Sequence, residues 1–556
     1  MKKLLKDSDL GLPQESAFDQ FVVRLVKSIV GVNQLNALYD SIDGQGADFA
    51  RNCLTRLKIE SQWSAQSLAN IPQAGAFIAV ANLPHGVLDG LLLMSEVMKK
   101  RPDTRIITGF APSQIAAVAD CVISVDTFEH DNLSNLAGLR KAKLWLAAGH
   151  ALIVFPAQKI AASGKGRSRA IESAWSQASL KFLFNSHVPL IPIHISGHNS
   201  MIFRLLGRIN PKLQFMRMAH ELLDKEGRDF TIEVGSAINL TQMERLASSE
   251  ELEAYIRTNI MLLGSRTRIN SRAVDLEHGA TIEKQSSTIE QITAKRLGEY
   301  LTVQNYIITS SGISFYVVPH AAIDAIDPRY ASDKVNPADQ YIIGINDAGG
   351  RGVCMAEIRY GDQSMLEHGI DGLYTHAYFE YSHKYFDIIR RSIELGERQV
   401  AEEYLDDKNL SSLIWRSALF LLARQEQYRY LIGTSGIASD YSNMAKLMIA
   451  TYIHAHAENK DFVQMALARH SAKRFHRPLF EGGMIEHLKD LDLVNKLIAD
   501  ADPNYNEMPR TLETLLRQGA HVLSLSTNHL DKSKLNALMI VDIEELRKKS
   551  STWNNS

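Results

Sequence analysis

The sequence contains 556 residues, and at about 150 residues per domain this length predicts two to four domains. Its 61 Lys and Arg residues and 63 Asp and Glu residues give a net charge of −2, which excludes a strongly basic nucleic-acid-binding protein. The hydrophobic fraction of 45% excludes a largely disordered chain. The three cysteines are far apart and form no CxxC pair, so we expect no disulfide framework and a reducing cytoplasm.

The sequence shows no pattern typical of a signal peptide or a membrane-spanning helix. Lys6, Asp7 and Asp9 would interrupt the apolar core of a signal peptide. The nearest candidate for a membrane span, 182–203, contains Pro189 and Pro192 and has the pattern of a strand followed by a turn. We therefore expect a cytoplasmic protein that is soluble or peripheral to the cytoplasmic membrane.

Residues 1–62 are predicted to form a helical segment. Apolar residues between Phe18 and Ile29 recur at steps of three and four, which places them in one stripe along a helix. This stripe could pack against the next domain or lie on a bilayer. The acidic residues that flank the helix favour packing in a core.

Over 63–275, short apolar runs that end in turn residues alternate with helical patterns. This alternation predicts an α/β domain with a largely parallel sheet. The predicted strands are 76–81, 105–107, 121–125, 151–155 and 188–195, and the predicted helices between them are 90–100, 136–148 and 173–184.

A polar stretch, 265–296, precedes a second predicted α/β domain over 296–550. We expect strands at 340–345, 352–359, 392–400, 428–433, 522–525 and 537–542, with one strong helix at 410–424. The fold class is therefore α/β, with two domains after the helical segment.

His85 and Asp89 form the first group of residues that could carry chemistry. They follow the strand 76–81 and are four residues apart, so on a helix their side chains share one face. A carboxylate that orients a histidine makes it a general base, which could deprotonate a hydroxyl that attacks a thioester. The alternative is a turn histidine and a helix-start aspartate without a joint role.

The loop after the strand 151–155 forms the second group. It contains Phe155 and Pro156 and then four cations, and loops at the carboxyl ends of strands are where α/β sheets bind ligands. The cations could bind a phosphate or an acidic carrier protein, or the loop could simply be a solvated basic one. These cations are Lys159, Lys165, Arg167 and Arg169.

Glu394 lies inside the apolar strand 392–400 and forms the third candidate site. A buried carboxylate is costly unless it has a partner or a function, such as accepting a proton from an amine. The alternative is a structural ion pair with Arg398 or Arg416.

Four blocks of the first half resemble the glycerolipid acyltransferase superfamily, in its hemolysin-like branch. The blocks occur in the family's order at 82–90, 139–146, 154–157 and 192–200, and the match runs over about 70–270. The resemblance implies that His85 and Asp89 are catalytic and that the acyl acceptor is a lyso-lipid hydroxyl. We expect the substrate to be bound by Phe155, Pro156, Lys159, Arg167 and Asn199. The sequence departs from the family at Leu83, which stands where the family has histidine.

The second half resembles the N-acyltransferases of aminolipid synthesis, a branch of the GNAT fold. The resemblance lies in 374–380, 393–396, 413–416 and 428–433, and it implies that Glu394 is catalytic. We expect Arg398, Trp415 and Arg416 to bind substrate. The loop 399–407 has no glycine and four acidic residues, so it would repel the pyrophosphate of coenzyme A. We therefore expect an acyl carrier protein to supply the acyl group.

Both halves in this order resemble a bifunctional ornithine-lipid synthase. The C-terminal domain would transfer a 3-hydroxyacyl chain to the amine of an amino acid, and the N-terminal domain would acylate the new hydroxyl. Alternatives are glycine as the amino acid, or an inactive N-terminal domain that serves for membrane docking. We expect the inner leaflet, the amino acid and the lyso-aminolipid as partners, and no nucleic acid, metal or bound cofactor.

Overall fold

The structure is a computed structural model. It describes residues 32–108, 115–125, 133–157, 162–163, 170–171, 175–201, 203, 220–270, 287–327, 339–404, 407, 409–459, 462, 464–470, 487–502, 504, 506–527 and 533–553. Contacts divide the chain into two compact units, Met1–Ala273 and Val274–Ser556, here the N-terminal and C-terminal units. The predicted apolar stripe from Phe18 to Ile29 lies outside the described residues. The finer predicted division into three segments stays a prediction.

The N-terminal unit contains a seven-stranded sheet with the order β1-β9-β8-β2-β5-β3-β4. Neighbouring strands are parallel except for the antiparallel pair β8–β9, which confirms the predicted largely parallel sheet. The strands are β1 Glu60–Trp63, β2 Phe77–Ala81, β3 Arg105–Thr108, β4 Val122–Ser124, β5 Ala151–Val154, β8 Leu190–Ile195 and β9 Asp229–Val234, and a separate hairpin is formed by β6 Ala162–Ser163 and β7 Ala170–Ile171.

The central strands β2 and β5 are buried along their whole length. Continuous apolar runs are typical of parallel strands that are covered on both faces, so these segments could be recognised from sequence. Strands β1 and β9 were not predicted. Strand β1 reads Glu-Ser-Gln-Trp and alternates between exposed and half-buried residues, so it lacks the apolar run that marks the central strands.

Helices connect and cover these strands, and eight of them have both ends within the described part of the N-terminal unit. They are α1 Val32–Asp40, α2 Gly46–Arg56, α3 Ala65–Ala69, α4 Val87–Lys100, α5 Leu133–Ala147, α6 Gln177–Phe184, α7 Leu240–Glu244 and α8 Ser249–Asn270. The predicted helices 90–100, 136–148 and 173–184 correspond to α4, α5 and α6. The apolar face of α2 packs with α4 in the main core of this unit.

The amino edge of this sheet is braced by the buried Arg101. Its guanidinium forms a bidentate ion pair with Asp103 at 2.7–2.8 Å and donates to the main-chain oxygens of Gly75 at 2.9 Å and Gly149 at 3.3 Å. Because these acceptors precede β2, β3 and β5, one side chain ties together the beginnings of three strands.

The C-terminal unit contains an eight-stranded sheet with the order β10-β11-β12-β13-β15-β16-β19-β18. Its neighbours are antiparallel except for the parallel pair β15–β16. The strands are β10 Tyr306–Ser310, β11 Ile313–Pro319, β12 Gln340–Asn346, β13 Gly352–Tyr360, β15 Ser392–Val400, β16 Tyr430–Ile437, β18 His521–Thr527 and β19 Leu535–Asp542, and β14 Phe379–Tyr381 pairs separately with β17 Ala466–Ala468.

The predicted strands of this unit correspond to β12, β13, β15, β16, β18 and β19, whereas β10 and β11 were not predicted. The described helices are α9 Ser287–Gln291, α10 His320–Asp324, α11 Gly361–His368, α12 Phe386–Arg390, α13 Leu410–Ala423, α14 Asn443–Tyr452, α15 Leu491–Ala501, α16 Arg510–Arg517 and α17 Ile543–Trp553. Helix α13 is the predicted strong helix 410–424. Both units are thus mixed α/β structures. Within the described residues, no helix combines the length and the apolar character needed to cross a bilayer.

Two helical glycines of the N-terminal unit should respond oppositely to alanine. A Cβ at Gly138 in α5 would lie 2.3 Å from the Ser124 carbonyl oxygen, whereas a Cβ at Gly90 in α4 has no atom within 4 Å. Gly138→Ala should lower the free energy of unfolding by about 1–3 kcal/mol through overpacking. Gly90→Ala should raise it by about 0.5–1 kcal/mol through helix propensity. Urea unfolding of both variants tests this, and a stabilised Gly138→Ala would contradict the packing of α5 on β4.

Candidate active site

Three predicted site segments meet at the carboxyl edge of the N-terminal sheet. Strand β2 pairs in parallel with β5 on one side and with β8 on the other, so the carboxyl ends of all three strands lie side by side. The segment 82–85 follows β2, Phe155 and Pro156 follow β5, and the segment 196–200 follows β8. The structure therefore brings together residues that are more than 100 positions apart in the sequence.

Asn82 joins two of these strand ends. Its side-chain oxygen accepts the main-chain N–H of Ile195 at 2.7 Å, and its side-chain nitrogen donates to the main-chain oxygen of Ile195 at 2.9 Å. These two hydrogen bonds continue the contact between β2 and β8 beyond the last paired residues. The segments that carry the site thus leave the sheet in a fixed relative position.

The imidazole of His85 lies where these segments meet. It is 3% exposed, and its Nε2 lies 2.9 Å from the main-chain oxygen of Ser196. Because a carbonyl oxygen only accepts, Nε2 carries the proton and Nδ1 has the free lone pair. Within the described residues no hydrogen bond reaches Nδ1. The Phe230 ring contacts the imidazole edge to face, with ring centroids 5.0 Å apart.

Asp89 binds the main chain next to this imidazole. Its Oδ2 accepts the main-chain N–H of His85 at 2.8 Å and that of Gly86 at 2.7 Å, and the residue is fully buried. These bonds cap the amino terminus of α4, where Gly86 has a positive φ of 89°. Asp89 therefore fixes the backbone that carries His85. The predicted joint role of the two side chains in catalysis stays a prediction.

Burial lowers the pKa of His85 to about 4. Loss of solvation of the charged imidazolium is the largest cause. The hydrogen bond to the Ser196 carbonyl opposes it, while the positive charge of Lys225 adds to it, and the Asn199 side chain has a smaller raising effect. His85 is consequently a neutral imidazole at physiological pH, which is the protonation state that a general base requires.

The close approach between the imidazole and the segment after β8 requires glycine at position 197. Gly197 has a φ of 97°, and a Cβ there would lie 2.9 Å from Nε2 of His85. A side chain at this position would therefore be strained and would also displace the imidazole.

Two buried charged residues, which the sequence placed in a block similar to the family's closing elements but gave no role, contact the same segment. Glu221 accepts the main-chain N–H of Ser200 at 2.8 Å and also accepts its hydroxyl. Lys225 donates to the His198 carbonyl at 2.9 Å and lies 3.8 Å from Glu221, and both side chains are at most 3% exposed. Glu221 and Lys225 are four residues apart in a helical block, so an ion pair between them could have been predicted from the sequence. This spacing gave no indication of which segment the pair would contact.

The remaining predicted residues of the N-terminal unit are distributed as follows. Asn199 is 1% exposed and donates to the His85 main-chain oxygen at 3.4 Å, so it supports the imidazole's backbone. Phe155 is half-buried against the main core, and the buried Pro156 accepts the Ser176 main-chain N–H at 3.4 Å. Lys159 and Arg167 lie outside the described residues.

Glu394 of the C-terminal unit is 1% exposed on β15. Its carboxylate accepts the main-chain N–H groups of Tyr374 and Thr375, each at 2.8 Å, and the Thr375 hydroxyl. Burial raises its pKa, and these hydrogen bonds and the Arg359 charge oppose that rise. The described contacts of Glu394 are these hydrogen bonds, and they include no ion pair with Arg398 or Arg416. Glu394 caps the short 3-10 helix Tyr374–Ala377 instead.

Arg398 and Trp415 lie where β15 and β16 separate. The parallel pairing ends at Leu395 and Gly433, and beyond this point Arg398 donates to the Thr434 carbonyl at 3.0 Å and to the Ser411 hydroxyl at 3.2 Å. The Trp415 ring contacts Gly433, where a Cβ would lie 3.0 Å from it, and is 1% exposed.

Arg416, one residue after Trp415, is exposed, and its guanidinium carbon lies 5.9 Å from the centroid of the Phe420 ring. Two of the three predicted binding residues thus converge at the strand separation, and Arg416 is at the surface.

Residues 16–268 match the model of a family described as acyltransferase. Two curated relatives are each a lyso-glycine lipid O-acyltransferase. The one from Phocaeicola vulgatus is 23% identical over 43% of this chain and 86% of its own length. The one from Bacteroides thetaiotaomicron is 22% identical over 43% of this chain and 88% of its own length.

A solved structure with similarity to this chain is the 1-acyl-sn-glycerophosphate acyltransferase PlsC from Thermotoga maritima. It is 17% identical, with a TM-score of 0.28, over 48% of this chain and 87% of the solved chain.

The pKa of His85 predicts how stability depends on pH. Since the folded-state pKa, about 4, is below the ordinary value of 6.5, the unfolded chain binds the proton first as pH falls. Between pH 7 and pH 5 the wild type should lose about 2 kcal/mol more unfolding free energy than His85→Gln, which does not titrate. Urea unfolding at both pH values measures this difference. Equal losses in the two proteins would contradict the buried, neutral imidazole.

Proposed function

We propose that the N-terminal unit transfers an acyl group from a thioester to the hydroxyl of a lyso-amino lipid. The observation that carries the proposal is the neutral imidazole of His85 at the carboxyl edge of a sheet whose sequence matches an acyltransferase family. The names of the two curated relatives support a lyso-amino lipid as acceptor, with glycine as the head group, whereas the resemblance of the whole chain favours ornithine.

In this reaction Nδ1 of His85 takes the proton of the acceptor hydroxyl while the hydroxyl oxygen attacks the thioester carbonyl. The ester bond forms, the carbon–sulfur bond breaks, and the imidazolium returns its proton to the leaving thiolate. Nε2–H donates to the Ser196 carbonyl, so the proton is on Nε2 and the lone pair is on Nδ1 before substrate binds. Since His85 is buried, a hydroxyl reaches Nδ1 only when part of its surroundings moves.

We further propose that the C-terminal unit attaches the first acyl chain to the amine of the amino acid. Support comes from the separation of β15 from β16, with Arg398 and Trp415 at the point of separation. In this proposal the narrow, extended pantetheine arm of the donor lies between these two diverging strands, beside Arg398. Glu394, or a water that it orients, would take the amine proton, and burial favours such proton acceptance because it raises the carboxylate's pKa. An acyl carrier protein is the proposed donor for both steps.

Lipid analysis of a host that makes no amino lipids separates the two half-reactions. The wild-type chain should produce an N,O-diacylated amino lipid, and the mass of its head group distinguishes glycine from ornithine. His85→Gln should accumulate the monoacylated amino acid, with the diacylated product at least 100-fold reduced, because loss of a general base costs about 10²–10⁴-fold. The matched control His187→Gln changes a histidine on the turn before β8 and should leave both products unchanged.

Glu394→Gln should abolish both products in the same host, because the second step lacks its substrate. Supplying the monoacylated lipid should restore the diacylated product in this variant, since the N-terminal unit is intact. Glu426→Gln, at an exposed position, is the control. If the diacylated product survives in His85→Gln, the role of His85 is wrong. If only monoacylated product forms in the wild type, the N-terminal unit does not acylate.

A further inference from the structure

Helix α5 has an outer face that no described residue covers. Leu136 is 66% exposed and Leu144 is 64% exposed, and the three cations Arg140, Lys141 and Lys143 are exposed beside them. The opposite face is buried on the sheet, where Gly138 meets the Ser124 carbonyl. Two large apolar side chains and three cations therefore share the solvent-facing side of this helix.

The arrangement of these five side chains is that of an interfacial helix. At 100° per residue, Lys141 and Lys143 lie about 160° apart, and Leu136, Arg140 and Leu144 lie between them. The leucines are eight residues apart, which is about 12 Å along the axis. Long cationic side chains beside exposed leucines, including Arg140 between them, can reach lipid phosphates while the leucines enter the acyl boundary.

Helix α5 itself is one-sided in charge. Leu133–Ala147 contains Arg140, Lys141 and Lys143 and no Asp or Glu, although the whole chain has a net charge of −2. Arg105 adds a further cation, with its guanidinium carbon 3.6 Å from the centroid of the Trp145 ring on α5. The neighbouring carboxylate of Asp103 is neutralised by its ion pair with Arg101 at 2.7 Å.

We propose that the outer face of α5, formed by Leu136, Arg140, Lys141, Lys143 and Leu144, docks the protein on an anionic lipid bilayer. The cations complement acidic headgroups, and the leucines supply the apolar contact that an acidic soluble partner would not require. This inference rests on the proposed function only in that a lipid substrate resides in such a bilayer. Its test uses no substrate, so it can fail or succeed independently of acyl transfer.

Vesicle co-sedimentation of the full chain tests the docking surface. The probe is phosphatidylcholine vesicles with or without phosphatidylglycerol, at low and at physiological salt. The wild type should bind only the vesicles that contain phosphatidylglycerol, and the binding should weaken as salt increases. The double variant Lys141→Glu and Lys143→Glu should bind these vesicles at least about tenfold more weakly, since each cation near such a surface contributes about a factor of five.

Two further double variants make the result specific. Leu136→Ser with Leu144→Ser should weaken vesicle binding but keep its salt dependence, because all cations remain. Arg56→Glu with Lys181→Glu makes the same charge change at exposed positions on α2 and α6 and should bind like the wild type. Denaturant midpoints equal to that of the wild type show that each variant is folded, because every altered side chain is exposed.

Three outcomes would overturn the proposal. The first is a wild-type chain that does not bind the anionic vesicles. The second is an equal loss of binding in the α5 charge variant and in its matched control, which would show a dependence on net charge alone. The third is unchanged vesicle binding in the α5 variants together with weakened binding to acyl carrier protein, which would assign this face to an acidic protein.

Discussion

The contact between the His85 imidazole and the Ser196 carbonyl determines the arrangement of the N-terminal site. This contact joins the segments that follow two parallel strands, and three features support it. They are the hydrogen bonds of Asn82 to Ile195, the absence of a side chain at Gly197, and the hydrogen bonds of Asp89 to the main chain at the start of α4. Each places the imidazole or its carbonyl partner within hydrogen-bond distance. Together these contacts determine which imidazole nitrogen carries the proton, and they bury the ring. Burial lowers the pKa of His85. The chemistry proposed for this residue therefore follows from the packing of the strand ends.

The two units use a buried carboxylate in the same structural way. Asp89 accepts two main-chain N–H groups at the start of α4, and Glu394 accepts two at the start of a 3-10 helix together with the Thr375 hydroxyl. A carboxylate buried without such donors would be strongly destabilising, because its charge would have no solvation. Both residues thus fix a segment of backbone beside the predicted site, and a role in proton transfer would be additional to this one.

The sequence was sufficient to predict the elements whose signal is local. Buried parallel strands such as β2 and β5 are continuous apolar runs, and α4, α5 and α13 are long and periodic. Strands β1, β9, β10 and β11 lacked that signal, since they are partly exposed or interrupted by polar residues. Their positions depend on pairing partners elsewhere in the chain, as for β1 with β9, about 170 residues apart.

The same distinction explains which candidate site residues could be predicted. His85 and Asp89 were predicted from their spacing of four after a strand, and Glu394 from its position inside an apolar strand. The contacts that define their environment are long-range: Ser196 approaches His85 from 111 residues away, and Tyr374 reaches Glu394 from 20 residues away. Glu221 and Lys225 were missed because an i, i+4 pair of opposite charge is typical of an exposed helix, and only the fold shows that this pair is buried.

In the N-terminal sheet, the contacts that join the strand beginnings lie at the amino edge, and the predicted site residues lie at the carboxyl edge. At the amino edge, Arg101 joins the segments before β2, β3 and β5 through one ion pair and several carbonyl contacts. At the carboxyl edge, the segments after β2, β5 and β8 leave the sheet, and the buried groups there include the neutral imidazole of His85. The Ser196 carbonyl and the main-chain contacts of Asp89 and Asn199 fix the orientation of this imidazole. The contacts that join the strands and those that orient the candidate base thus lie at opposite ends of the same strands.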